Sequence, residues 1–178
     1  MLSPLLRGLN FIWWGKAMDI TIGNFYFVSD SFFEKVDEPN LKINYEATKR
    51  PHYFALKDKK TDLLWLVPCS SKVEKFKKII EKRNQFKRPN GAIKIVTVQG
   101  KKTVLLLQDM FPINQKYITN QYIRGGQAVK IANKNVLADI ERSARKISIL
   151  LRKGVKFTPT QPDIIRIERL MLEEQNEE

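Results

Sequence analysis

Two apolar runs joined by a short polar turn constrain the fold of this chain most strongly. Residues 52–57 and 63–68 are rich in aromatic and aliphatic side chains, and the residues between them are polar or charged. Such a pair of runs is typical of a β-hairpin, so we expect two adjacent antiparallel strands here. A second hairpin is predicted around Gly100. Outside the first hairpin, the predicted strands are residues 20–29, 92–99, 103–108 and 110–113.

A basic helix is predicted between the two hairpins. The apolar side chains of residues 72–88 form a stripe at helical spacing, and lysine and arginine fill the other positions. Ser71 and Glu74 have the spacing of a capping box, which predicts the start of the helix. Residues 35–50 are polar and are predicted as a loop with one helical turn at most.

The C-terminal third changes to a helical period. Apolar residues at steps of three and four predict a helix over residues 137–151 that ends at Gly154. Residues 160–163 are predicted to cap a final helix through Met171. Strands with inserted and appended helices indicate an α+β fold, with a compact, strongly curved antiparallel sheet or barrel.

The length of 178 residues suits one domain, which we assign to residues 18–172. Residues 1–17 have the pattern of neither a membrane span nor a cleavable signal peptide, and Met18 reads as a natural start. We therefore expect residues 1–17 to be a leader, a cloning remnant or a misassigned start. The acidic residues 173–178 are expected to fray.

The charge of the chain indicates its ligand. It carries 32 Lys and Arg against 19 Asp and Glu, a formal net charge of +13. A surplus of this size favours a polyanion, of which nucleic acid is the commonest, while membrane headgroups and acidic proteins remain alternatives. A single cysteine allows no internal disulfide and fits the cytoplasm, and a single histidine excludes a zinc site built on two. We predict no metal, no cofactor and no membrane span.

No common enzyme signature occurs in the sequence, since phosphate-binding loops, zinc-protease motifs and serine-hydrolase elbows are all missing. The side chains that remain suit cleavage of RNA by its own 2′-hydroxyl. That reaction needs a base, cationic groups around the phosphorane and a proton for the leaving oxygen. The best constellation is Ser70, Ser71 and Lys72, where a strand runs into the first turn of the basic helix. Ser71 as a simple helix cap with a solvated Lys72 is the alternative.

His52 begins the strand that pairs with the one leading to Ser70, so the two residues are predicted to be neighbours. Its ordinary pKa near neutrality would suit a base or an acid, although a structural histidine is the alternative. The basic helix has a surplus of six positive charges, which favours phosphate contacts. Tyr117, Tyr122 and Arg124 could stack on unpaired bases, or the tyrosines could belong to the core. The helix cations proposed to bind RNA are Lys75, Lys78, Lys82, Arg83, Lys87 and Arg88.

The chain resembles a known family in three segments. They are Phe25-Tyr26-Phe27-Val28-Ser29, the hairpin from Pro51-His52-Tyr53-Phe54 to Pro68-Cys69-Ser70-Ser71-Lys72, and Met110-Phe111-Pro112-Ile113. These resemble the toxin subunits of type III toxin–antitoxin systems, most closely the CptN branch of the ToxN and AbiQ family. The resemblance implies a MazF-like, SH3-like barrel and a metal-independent endoribonuclease of the bacterial cytoplasm. It also implies a repeated, pseudoknotted antitoxin RNA that the toxin cuts and that then inhibits it in a multimeric complex.

The resemblance also implies roles for particular residues. Ser70 and Ser71 match the hydroxyl pair of the family and Lys72 its active-site lysine, with Lys75 as an alternative. A further cationic position matches Lys49, Arg50 or His52, and His52 is our choice. Tyr26 and Tyr45 match tyrosines that line the RNA groove. A non-catalytic RNA-binding module with the same basic face is the alternative function, and a basic partner of an acidic protein is a third.

Overall fold

The computed structural model describes residues 18–44, 48–87 and 91–177. Its helices are α1 (Asp30–Val36), α2 (Val73–Gln85), α3 (Lys134–Arg152) and α4 (Ile164–Glu177). Its strands are β1 (Phe25–Val28), β2 (Pro51–Lys57), β3 (Leu64–Ser70), β4 (Ile93–Val98), β5 (Lys101–Leu106), β6 (Phe111–Ile113), β7 (Ile118–Gln121), β8 (Ile123–Arg124) and β9 (Gln127–Ala128). Both predicted hairpins and the three longer predicted helices are present. None of the helices in these ranges is long and apolar enough to cross a bilayer.

Strand β3 is the centre of an antiparallel sheet with the order β4-β5-β3-β2-β1-β7. On one edge, the first half of β3 pairs with β6, and its last residues, Cys69 and Ser70, pair with β5. The predicted α+β fold is confirmed, since helices lie between the strands along the chain and two more follow at the C-terminus. Of the predicted sheet or barrel, the structure has the open sheet, because the outer strands β4 and β7 do not pair with each other. Strand β4 is tied instead to α3 by a 2.6 Å ion pair between Lys94 and Asp139.

Helix α1 was not predicted, and it fills one side of the core. Its residues Phe32, Phe33 and Val36 are buried, and the Phe32 ring stacks on Phe111 at 5.3 Å. Two helical turns are too short to establish a periodicity in the sequence. Tertiary packing of the two phenylalanines therefore stabilises this helix more than its own propensity does.

Both predicted C-terminal helices are present, but α3 begins earlier, at Lys134, and α4 continues past Met171 to Glu177. Asn133 caps α3 by accepting hydrogen bonds from the next turn, and Asp163 accepts one from the Arg166 amide at 3.1 Å at the start of α4. Gly154 has a φ of +77° beyond the end of α3, and the Gly154 and Val155 amides donate back to Leu151 and Leu150. This is the Schellman arrangement that favours glycine.

The acidic C-terminal segment is helical through Glu177, which corrects the expected fraying of residues 173–177. Residue 178 lies outside the described ranges. Glu174 is only 7% exposed and accepts hydrogen bonds from Lys35, Tyr117 and Asn114 at 2.6 to 2.9 Å. Burial alone would raise the pKa of this carboxyl, but these donors and Lys116 outweigh burial and lower its pKa to about 2. The tail therefore joins α4 to α1 and to the segment after β6.

Replacing Glu174 with alanine is expected to lower the free energy of unfolding by about 2 kcal/mol, because the buried hydroxyl of Tyr117 and amide of Asn114 lose their acceptor. Denaturant unfolding of the two proteins measures this change. Glu173→Ala is the matched control, since its side chain is 58% exposed and its nearest ion pair spans 3.8 Å. Its effect should remain within about 0.5 kcal/mol. Equal effects of the two substitutions would show that Glu174 has no structural role.

Candidate active site

A cleft of about 380 Å³ lies where β2 begins, β3 ends and the β4–β5 hairpin turns. Phe25, Pro51 and Val129 are among the apolar residues of its wall. Five hydroxyl-bearing side chains line it, namely Thr48, Ser70, Ser71, Thr103 and Tyr122. Six cationic side chains line it as well, namely Lys49, Arg50, Lys72, Lys101, Lys102 and Arg124.

The charged side chains around the cleft are all positive. The other two ionisable groups that line it are the Cys69 thiol and the Tyr122 phenol. No Asp or Glu occurs among the described residues that line it. Lys49, Lys72, Lys101 and Lys102 are exposed to solvent, while Arg50 and Arg124 are half-buried. Because low-dielectric walls focus the field of like charges, the cleft concentrates a polyanion such as a nucleic-acid backbone.

The end of β3 presents Ser70, Ser71 and Lys72 to the cleft, as the sequence predicts. Ser70 is held in place because it pairs with Val104 of β5. Its Oγ accepts a hydrogen bond from the Lys72 amide at 3.2 Å, which leaves the hydroxyl proton of Ser70 able to donate. The predicted capping box is wrong, since Lys72 is the residue before the helix and no side chain caps it. The chain turns out of the sheet through Ser71 and Lys72, and both side chains remain exposed.

Both arginines of the cleft are fixed by backbone carbonyls. Arg50 Nη1 donates to the Cys69 carbonyl at 3.1 Å, so it lies at the end of β3 beside Ser70. Arg124 Nη2 donates to the Val98 carbonyl at 3.0 Å, and its Nε donates to the Gln99 side chain at 2.9 Å. Guanidinium groups held in this way present charge without first having to be ordered, which is the property that transition-state stabilisation needs.

Comparison with known proteins gives the fold but no sequence match. No protein-family model and no curated protein matches this chain. The structure is similar to that of AbiQ, a lactococcal anti-phage endoribonuclease belonging to the type-III toxin–antitoxin system, with a TM-score of 0.65. The similarity covers 88% of this chain and 99% of AbiQ, at 16% sequence identity. The chain has the AbiQ fold. The resemblance found in the sequence is therefore confirmed for the fold.

Within this AbiQ fold His52 does not belong to the cleft, and its predicted catalytic role is wrong. Its ring is completely buried beside Phe33 and Phe111, and neither ring nitrogen has a hydrogen-bond partner among the described residues. Desolvation, assisted by the charge of Arg50, lowers its pKa to about 3 and outweighs the opposite effect of nearby backbone groups. Successive side chains of a strand face opposite ways, so Pro51 in the cleft wall places His52 in the core.

The alternation of side chains between the two faces of a strand also places Tyr26 outside the predicted RNA groove. Its neighbour Phe25 lines the cleft, while Tyr26 is 1% exposed and lies opposite His52 in the β1–β2 register. Tyr117 is also a core residue, 8% exposed, and its hydroxyl donates to Glu174. These two assignments to RNA binding are wrong because both rings are packed inside the protein.

The predicted cations of the basic helix lie outside the cleft, apart from Lys72. Lys75, the alternative active-site lysine, is exposed on α2 with its ammonium 5.7 Å from the Phe76 ring centre. Lys78, Lys82 and Lys87 are exposed, and Arg83 donates to Gln108 at 3.1 Å. Their contact with RNA therefore stays a prediction. Tyr45 and Arg88 lie outside the described residues.

Several cleft residues were not identified from the sequence. Lys101, Lys102 and Thr103 come from the second hairpin, and Thr48 precedes β2. The two adjacent lysines after Gly100 were a visible signal, but only the pairing of β5 with β3 brings them beside Ser70. Tyr122, considered for base stacking, does line the cleft and has its ring edge against Phe27 at 5.4 Å.

Proposed function

We propose that this protein is an endoribonuclease toxin of a type III toxin–antitoxin system. The observation that carries the proposal is the cleft, where Ser70, Ser71 and Lys72 lie between the end of β3 and the start of α2, and where six cationic side chains including Lys72 meet. The AbiQ fold supports it, because AbiQ is an endoribonuclease of such a system. The substrates we assign are cellular RNA and the RNA that serves as antitoxin.

The reaction that fits these side chains is an internal transfer at the phosphodiester. The 2′-oxygen of the RNA attacks phosphorus while the bond from phosphorus to the 5′-oxygen breaks. The products are a 2′,3′-cyclic phosphate and a 5′-hydroxyl, and no covalent bond to the protein forms. Negative charge grows on the non-bridging oxygens in the transition state, so donors aimed at them lower the barrier.

Lys72 and the serines supply those donors. The Lys72 ammonium faces the phosphate, and the Ser70 and Ser71 hydroxyls hold its non-bridging oxygens. The Lys72 ammonium gives a proton to the leaving 5′-oxygen and regains one from water. Arg50 and Arg124, fixed by carbonyls, hold neighbouring phosphates in register.

With His52 in the core, the proton of the 2′-hydroxyl passes to solvent hydroxide. The cleavage rate should therefore rise with hydroxide concentration, and its pH profile should lack a step from the single histidine of the chain.

The partner we propose is a repeated, pseudoknotted antitoxin RNA, which the toxin cuts into units that then block the cleft in a multimeric complex. The supporting observations are the net charge of +13 and membership of AbiQ in a type-III system. We assign the toxin to the bacterial cytoplasm, where its RNA substrates are. Tandem short repeats followed by a terminator, directly upstream of the gene, are the expected genetic context.

Incubation of the purified protein with RNA in excess EDTA tests the enzymatic function. We expect cut products that end in 2′,3′-cyclic phosphate, since no step of the proposed reaction uses a metal. RNA that is bound but never cut, with or without added Mg²⁺, would instead establish the non-catalytic RNA-binding module.

A further inference from the structure

The outward face of α2 carries a row of cations that starts near the cleft. Lys75, Lys78 and Lys82, here called the basic stripe, are spaced three and four residues apart, so they share one helix face. All three are exposed. The opposite face of the helix packs through Val73, Phe76, Ile79 and Ile80 on the small apolar cluster of β4 and β5. The sheet therefore holds the basic stripe towards solvent.

An aromatic side chain stands at the far end of the basic stripe. Phe86 follows Lys82 by four residues, and its side chain is 63% exposed, the highest value among the large apolar residues of the described chain. Together with Ile79, Lys82 and Arg83 it lines a concavity of about 390 Å³. Arg83 is held at this concavity by its hydrogen bond to Gln108, which is only 6% exposed.

We propose that this concavity, the Phe86 platform, stacks one unpaired base of an RNA strand that also enters the cleft. An exposed aromatic ring with flanking cations suits single-stranded nucleic acid, because the ring takes the face of the base and the cations take its phosphates. Lys82 and Arg83 are the cations in position to do so. The inference rests on the proposed function, since the RNA that reaches the platform is the one bound in the cleft.

The length of α2 sets the length of RNA that can use the platform. Fourteen residues separate Lys72 from Phe86, and a helix rises 1.5 Å per residue, so the two ends lie about 20 Å apart. A stacked strand advances about 3.4 Å per nucleotide, so about six nucleotides join the cleft to the platform. An unstacked strand extends to about twice this rise, so an RNA of about two nucleotides held in the cleft cannot reach Phe86.

Binding of two RNA lengths to wild-type protein and Phe86→Ala tests this inference. The probes are fully 2′-O-methylated oligonucleotides of about two and about ten nucleotides, one too short and one long enough for that span. They cannot be cleaved, because the attacking hydroxyl is blocked. We expect Phe86→Ala to weaken binding of the longer RNA about 5- to 150-fold, the range for losing one stacked base, and to leave the shorter one within about twofold.

Two further variants distinguish stacking from other causes. Phe86→Tyr should restore the affinity, and Ile149→Ala, which truncates an apolar side chain that is 52% exposed on α3, should change neither affinity. Phe86→Ala should leave the salt dependence of binding unchanged, because it removes no charge. Equal affinities of wild type and Phe86→Ala for the longer RNA, or equal losses for both lengths, would overturn the platform and leave a protein-docking surface as its explanation. Cleavage of unmodified RNA in EDTA reports separately on the enzymatic proposal.

Discussion

Replacing Lys72 with alanine is expected to lower the rate of RNA cleavage by about 10²- to 10³-fold, the usual cost of removing one donor that stabilises transition-state charge. RNA binding should weaken far less, because five other cationic side chains line the same cleft. The Lys72 side chain is exposed, so the free energy of unfolding should change by no more than about 0.5 kcal/mol. Single-turnover cleavage and denaturant unfolding measure the two quantities. The variant should also be non-toxic when expressed alone in bacteria.

Lys59→Ala is the matched control for Lys72→Ala. Lys59 is an exposed lysine in the turn between β2 and β3, at the opposite end of this hairpin from Ser70, so the same charge is removed away from the cleft. Its cleavage rate should equal that of the wild type. A Lys72→Ala protein that cuts RNA at the parental rate would contradict the assignment and transfer the role to another cation of the cleft, Arg50 first.

Lowering the pH from 7 to 5 is expected to reduce the free energy of unfolding by about 2 kcal/mol through His52 alone. The folded protein holds the pKa of His52 at about 3, below the 6.5 of an unfolded chain. Between these two values the unfolded state binds a proton that the folded state excludes, so acid favours unfolding. Well above pH 6.5 both states carry a neutral ring and the contribution is constant. The lowered pKa of the Glu174 carboxyl acts mainly below about pH 5, outside this interval.

His52→Leu is the variant that isolates this effect, because leucine is similar in volume and does not ionise. Its unfolding free energy should lack the 2 kcal/mol fall between pH 7 and 5. Its cleavage rate should keep the pH profile of the wild type, since His52 is not in the cleft. The protein has one histidine, so its ring resonances in an NMR spectrum are unambiguous. A titration of those resonances near pH 6.5 in the folded protein, or a His52→Leu protein that folds but cannot cut RNA, would refute the buried, non-catalytic assignment.

Local patterns predict much of this fold correctly. The hairpin of β2 and β3 follows from two apolar runs around a polar turn. Helices α3 and α4 follow from helical spacing, with Gly154 after the first and Asp163 before the second. Helix α1 and the short strands β7 to β9 contain too few residues to show a period. They form because the rest of the molecule offers them a surface or an edge to pair with.

The candidate site shows the same division between local and tertiary information. Ser70, Ser71 and Lys72 are predictable because the junction of a strand with a basic helix is visible in the sequence. Arg124 and Lys49, which the sequence analysis assigned to RNA binding, also line the cleft. His52 and Tyr26 were each predicted on the wrong face of their strand. Side chains alternate between the two faces, so the adjacent residue occupies the cleft face instead. Polar or aromatic character in an almost wholly buried strand does not reveal which face a side chain occupies.

The sequence by itself therefore determined the α+β class, the elements that carry the serines and Lys72, and the positive charge that selects a polyanion. Only the tertiary structure decided which side chains share a cleft. The pairing of β5 with β3 brings Lys101 and Lys102 from 30 residues away to Ser70 and Ser71, and the face of β2 sends His52 inward. The physical reason is that helical spacing and charge are properties of neighbours in the chain, whereas strand register and side-chain face are settled by packing between distant segments.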